Sequence, residues 1–190
     1  MDKSRLRAGI LASRAARSDA ERADAGRALR DAVLDLPQLQ MAGTVAAYYS
    51  VGTEPDSHGL VYALWKRGTY VLLPVLLPDG DLDWASYEGP ESLVSGPRGL
   101  LEPSEPRRGP DVVARADVVI VPALAVARES GVRLGRGVGC YDRALARVAP
   151  PIPVIALLYD DELVDSLPAE EHDRRVSHVA RPGHGITPVR

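Results

Sequence analysis

The eight residues DVVIVPAL, Asp117 to Leu124, are the stretch on which the fold turns. Four β-branched residues in a row, Val118 to Val121, stop at a proline, which is the pattern of a short buried strand. Working outward, TYVLLPVLL (69–77) and PVIALLY (153–159) read the same way, and TVAAYYSV (44–51) as another buried strand. LDWASYE (82–88) alternates and predicts a half-exposed strand, and RVSHVAR (175–181) a final short one. Helices fall between and before them. Residues 2–17 place Leu6, Ile10 and Leu11 at helical spacing, and Ser18 with Glu21 forms a capping box that opens a second helix ending near Leu36, before Pro37. Asp56 or Ser57 caps a helix through Trp65 that Gly68 closes; further helices are expected over 141–148 and, briefly, over DDELVDSL (160–167). Residues 89–110 are rich in proline and glycine and form a long loop. Strands alternating with helices give an α/β fold, a layered, mostly parallel sheet flanked by helices, with the two N-terminal helices packed on it.

The chain has 190 residues, a length suited to one domain (1–190) that buries roughly 70% of its unfolded surface. Its 45% hydrophobic and 26% charged residues are those of a globular protein, and no apolar run approaches the ~20 residues of a membrane span. The charged N-terminus is not a secretory signal, and the lone Cys140 excludes an intrachain disulfide and a cysteine zinc cluster. A cytoplasmic location is expected. The net charge of −3 argues against a nucleic-acid binder. The arginines of residues 5–30 alternate with Asp19, Glu21, Asp24 and Asp31, as on a solvated helical face. Of 23 basic residues only Lys3 and Lys66 are lysine.

Downstream of the central strand comes GVRLGRGVGCYDRALARV, Gly131 to Val148. Gly135, Gly137 and Gly139 recur at every second position, with Arg133 and Arg136 among them and Tyr141–Asp142 opening a helix. Glycines let backbone amides approach an anion, and arginine forks suit phosphate oxygens. Asp142 makes sense in such a loop when a divalent cation lies between it and the phosphates. Turn glycines and a helix-capping aspartate are the plainer reading of the same residues. GRGVGC approaches the dinucleotide fingerprint, with Asp160 or Asp161 about twenty residues on. That fingerprint follows its strand directly, however, whereas twelve residues, ALAVARESGVRL, intervene here. No Gly-Lys-Ser/Thr closes a phosphate loop of the common kind. The loop points to a nucleotide held in an unusual way.

RLGRGVGCYDRAL closely resembles the RLGxGxGYYDRxL signature of the 5-formyltetrahydrofolate cyclo-ligases, also called 5,10-methenyltetrahydrofolate synthetases. The resemblance runs in order along the chain through KSRLR (3–7), AAYYSVGTEPDS, GLLEP, DVVIVPALA and LPAEEHDRRV. It implies a Rossmann-like fold of the NagB/RpiA/CoA-transferase-like kind. It also implies ATP- and magnesium-dependent conversion of 5-formyltetrahydrofolate to 5,10-methenyltetrahydrofolate, with release of ADP and phosphate. The formyl oxygen would attack the γ-phosphate, and ring closure would expel phosphate. Carried over by position, the resemblance assigns ATP contacts to Lys3, Ser4, Arg5, Leu6 and Arg7 and to Arg133, Leu134, Gly135, Arg136, Gly137, Val138, Gly139, Cys140 and Tyr141. It assigns folate contacts to Tyr49, Glu54 and the overlapping 136–140, magnesium to Asp142 and Asp173, and catalytic roles to Arg136 and Lys3. Partners would be the two small substrates, without nucleic acid or membrane, in a monomer or small homo-oligomer. Two departures stand out: Cys140 replaces the first of two tyrosines, and PALAVA (122–127) lacks the Phe and Asp of PGLAFD. A non-catalytic folate- or nucleotide-binding relative is the alternative they motivate.

Overall fold

The computed structural model describes residues 2–189. Asp2 caps α1 (Lys3–Ala16), its carboxylate accepting from the Ser4 amide. The Ser18–Glu21 capping box opens α2 (Asp19–Leu34), and a short α3 (Pro37–Gln40) follows. Then come β1 (Thr44–Ala46), α4 (His58–Lys66), β2 (Tyr70–Leu76), β3 (Leu82–Ser86) and the hairpin of β4 (Leu93–Ser95) and β5 (Leu101–Pro103). Beyond a 3-10 turn at Pro110–Arg115 lie β6 (Val118–Pro122), β7 (Ala125–Ala127), β8 (Arg133–Leu134) and α5 (Cys140–Leu145). The chain ends through β9 (Val154–Leu157), a 3-10 turn (Asp160–Glu162), β10 (Leu163–Val164), β11 (His178–Arg181) and β12 (Gly185–Pro188).

Seven strands form the main sheet in the order β12-β11-β9-β6-β1-β2-β3, its five inner strands parallel and both edge strands antiparallel. Alternation decides which side chain faces which layer. Val118 and Ile120 of β6 join Val45, Val71, Leu73, Ile155 and Leu157 against Leu29 and Val33 of α2 and Leu60, Val61 and Leu64 of α4. Val119 and Val121 face the other way, with Ala46, Leu72 and Ala156, against Val113, Ala144 and Leu145. Both faces are therefore dry, which is why β6 (VVIVP) and β9 (VIAL) carry no polar side chain.

The structure corrects several sequence expectations. Only α2 of the leading helices packs on the main sheet. Leu6 and Ile10 of α1 pack instead beside Leu124, Ala125 and Leu134, at the small sheet β10-β7-β8, and Leu11 is left exposed. β3 is not half-exposed: the 90–115 segment covers it, and the buried Asp83 carboxylate accepts the amides of Trp84 and Gly109. The 160–167 stretch makes one 3-10 turn and then strand β10, because Leu163 and Val164 pair with β7. The strand at 175–181 is followed by another, β12. Ser57 occupies the N-cap of α4 without capping it, its hydroxyl donating to Tyr48 O at 2.6 Å.

Candidate active site

The inner strands change direction of growth at β1. The chain leaves it outward to β2, then returns to lay β6 on its other side, so the loops leaving β1 and β6 diverge and open a crevice. A cleft of about 760 Å³ lies there, lined from both loops and from α1.

On the β1 side, Ser50 and Ser57 tie the loop into a turn: each backbone amide donates to the other's hydroxyl, at 2.9 and 3.0 Å. This sets Tyr49 and Glu54 on the cleft wall. Tyr49 stacks on His58 with ring centroids 3.8 Å apart, and burial pushes its phenol pKa up. Glu54 Oε2 accepts the Val51 amide at 2.9 Å, and Oε1 lies 3.4 Å from Arg136 Nη2.

On the β6 side, the β7–β8 hairpin delivers the glycine loop. Gly137 and Gly139 have φ of 97° and 75°, conformations that side chains other than glycine rarely tolerate. Arg7 Nε donates to Gly135 O at 2.8 Å and pins the loop to α1. The two loop arginines separate. Arg136 is half exposed toward the cleft, whereas Arg133 is buried beneath the loop. Arg133 Nη1 donates to Pro122 O at 3.1 Å, and Nη2 lies 3.5 Å from Asp142 Oδ1. Cys140 and Tyr141 start α5; burial raises the thiol pKa, and raises the phenol well above its usual value.

Asp142 of α5 and Asp173 of the segment before β11 come near each other. Asp142 Oδ1 accepts the amide of Arg174, the residue after Asp173. Lys3 Nζ donates to Glu170 Oε1 (2.8 Å) and Asp173 Oδ2 (2.9 Å). Burial opposes the Lys3 charge, but these bonds outweigh it and raise its pKa. Burial likewise opposes the Asp173 charge, and the Glu170 amide and Lys3 more than offset it, holding the carboxyl below its usual range.

Of the 3–7 segment, Lys3 and Arg7 line the cleft. Ser4 is exposed, Arg5 borders a separate groove with Asp2 and Asp161, and Leu6 packs toward Leu124 and Leu134. Arg133 to Asp142 all line the cleft. Sequence reasoning missed Arg14, His58 and Glu170. Arg14 had a signal, since Lys3, Arg7 and Arg14 at spacings of four and seven share one helical face. Glu170 and His58 acquire their places only through tertiary contacts.

Among the described residues no group of three or more His, Cys, Asp or Glu converges on a metal position. Four carboxylates line the cleft, Glu54, Asp142, Glu170 and Asp173, and of these Asp142 and Asp173 adjoin each other through Arg174. That donor set fits magnesium, which takes one or two carboxylates and completes its shell with phosphate oxygens and water.

The sequence profile of the 5-formyltetrahydrofolate cyclo-ligase family matches residues 1–182. A 5-formyltetrahydrofolate cyclo-ligase of Mycolicibacterium smegmatis is 44% identical over 99% of this chain and 97% of its own. That of Escherichia coli is 33% identical over 91% of this chain and 96% of its own. The NMR structure of Aquifex aeolicus 5,10-methenyltetrahydrofolate synthetase superposes with a TM-score of 0.85 at 27% identity, covering 100% of this chain and 94% of that one.

Proposed function

The chain belongs to the 5-formyltetrahydrofolate cyclo-ligase family, and on that premise we propose that its cleft holds a reduced folate and ATP side by side and closes the folate ring. The activity is that of a ligase converting 5-formyltetrahydrofolate to 5,10-methenyltetrahydrofolate. The relatives described above are named as cyclo-ligases or synthetases, and no observation favours the non-catalytic alternative.

The observation that carries the reading is the meeting of α1, the glycine loop and the Tyr49–Glu54 turn in one cleft. Tyr49 presents a ring for the pterin, and the Glu54 carboxylate accepts pterin N–H groups. The amides of 135–141 and the cations of Lys3, Arg7 and Arg136 receive the polyphosphate. The folate formyl oxygen attacks the γ-phosphorus and ADP departs. The second folate nitrogen then attacks the formyl carbon, and phosphate leaves with the former formyl oxygen. Arg136 reaches the folate wall through Glu54 and belongs to the loop, which supports a role for its guanidinium in stabilising the charge that develops on the transferred group. Lys3 exchanges its carboxylate partners for phosphate oxygens. Asp142 and Asp173 would hold magnesium, whose charge would offset that of the polyphosphate. Arg133 supports the site from below by holding Asp142.

Formation of the methenyl product, followed by its near-ultraviolet absorbance, tests the proposal. A rise that requires both ATP and magnesium is expected. A flat trace with correctly folded protein overturns it. Arg136→Ala and Asp142→Ala should each lower kcat by about 10²-fold or more, the scale of losing one preorganised charge partner.

A further inference from the structure

The guanidinium of Arg14 has no role in the cleft chemistry above, yet it is among the most buried charges of the chain, 1% exposed on the last turn of α1. Its hydrogen bonds all leave the helix. Nε donates to Glu162 Oε1 at 2.7 Å, and Nη2 to Glu162 Oε2 at 2.9 Å and to Ala123 O at 2.6 Å. Glu162 is itself 3% exposed, and its Oε2 also accepts the Tyr159 amide. Ala123 follows β6 directly, next to Pro122, the carbonyl that accepts from Arg133. Consecutive carbonyls at the end of the central strand thus each take a buried arginine. One guanidinium ties down the helix carrying Lys3 and Arg7; the other ties down Asp142.

Stability alone is a poor reason for such a pair. Desolvating two charges is costly, and apolar replacements of buried pairs are often neutral or stabilising. The other polar side-chain contacts of α1 are those of Lys3 and Arg7 within the cleft and of the Ser13 hydroxyl with Asp161 at the surface, and its apolar contacts, through Leu6 and Ile10, are non-directional and tolerate sliding and rolling of the helix. A forked guanidinium on a carboxylate and a carbonyl does not. Lys3 and Arg7 lie eleven and seven residues from Arg14, about 16 and 10 Å along the axis at the α-helical rise. An axial slip at Arg14 therefore reaches both cations undiminished.

We propose that Arg14 is a positioning residue for the nucleotide, its Glu162–Ala123 fork setting the register of α1 so that Lys3 and Arg7 meet the phosphates. The proposal rests on the reading of the cleft as an ATP site. The folate wall hangs from β1 and not from α1, so the effect is selective for ATP.

The test uses Arg14→Lys, Arg14→Met and the double variant Arg14→Met/Glu162→Gln, in which glutamine keeps an acceptor for the Tyr159 amide. Thermal unfolding, ATP affinity by calorimetry and separate KM values for ATP and folate are measured well below each melting temperature. Arg14→Met should lose stability, and the double variant should regain much of it, since no buried charge is left unpaired. Both should bind ATP about tenfold or more weaker, a displacement of the size that costs up to ~10²-fold in rate, with the folate KM little changed. Arg14→Lys should fall between them and the wild type. Wild-type ATP affinity in the double variant overturns the proposal, and so does an equal rise in both KM values. If the double variant does not fold, an unchanged ATP affinity in Arg14→Lys overturns it in the same way. A wild-type protein that binds no ATP is recognised before any variant is made, and it overturns the underlying reading together with the proposal.

Discussion

Cys140 stands at the first position of α5, on the cleft wall, and desolvation raises its thiol pKa despite the nearby Arg133 charge. A raised pKa leaves less thiolate at neutral pH than in a free cysteine, and the thiolate is the reacting species. Iodoacetamide should therefore modify the native protein slowly at pH 7, with the rate still climbing above pH 9. A rate that plateaus near pH 7 would mean an activated thiol. Cys140→Tyr should keep activity, since Tyr141 and Asp142 beside it are unchanged. The neighbouring arginines show what a motif hides. Arg133 and Arg136 are three residues apart and equally suited to phosphate by type, and only packing separates them. Arg133 lies under the loop because a strand, β8, turns it toward the carbonyl of Pro122. Arg136 follows where the strand has ended, and is free to face the cleft.

Elements were legible where burial on both faces left no room for ambiguity, as in Val118 to Val121. They were misread where a polar residue found a buried partner. Asp83 gave β3 the look of a half-wet strand, although its carboxylate is satisfied by two amides. DDELVDSL has helical composition, yet the free edge of β7 captures Leu163 and Val164 as a strand. Just past α5, Arg147 joins the β2–β3 turn through Asp81, at 2.6 and 2.9 Å, and also reaches Asp111. The bond to Arg147 lowers the Asp81 pKa. A carboxylate with a lowered folded pKa contributes stability above its unfolded value near 3.9, and loses it as pH falls through the folded value. Arg147→Leu should cost about 1 kcal/mol near neutrality, the scale of a partly exposed pair. The melting-temperature difference from wild type should shrink as pH falls below the usual carboxylate range. A difference that persists in acid would assign the effect to packing.

Across the whole molecule, the site draws on residues from both ends of the chain. The glycine loop and the Tyr49–Glu54 turn were readable because each lies within one short stretch. Of the Lys3–Glu170–Asp173 cluster the resemblance supplied Lys3 and Asp173 but not Glu170, because no local pattern reports a partner 167 residues away. Ligands that bridge distant segments should stabilise the fold as a unit. ATP with magnesium at a hundred times its dissociation constant should add about 2.7 kcal/mol, hence raise the melting temperature by roughly 5–10 °C. Lys3→Met should shrink that shift, and an equal shift in the variant would remove Lys3 from the nucleotide site. The same cluster bears on biosynthesis. At ~5–20 residues per second, Lys3 leaves the ribosome roughly ten to thirty seconds before Asp173. A nascent chain therefore displays its first helix without the carboxylates that pair with Lys3 in the folded protein. With Lys3 and Asp173 in the roles proposed for them, phosphoryl transfer would wait until translation has passed Asp173, and a chain terminated earlier would spend no ATP.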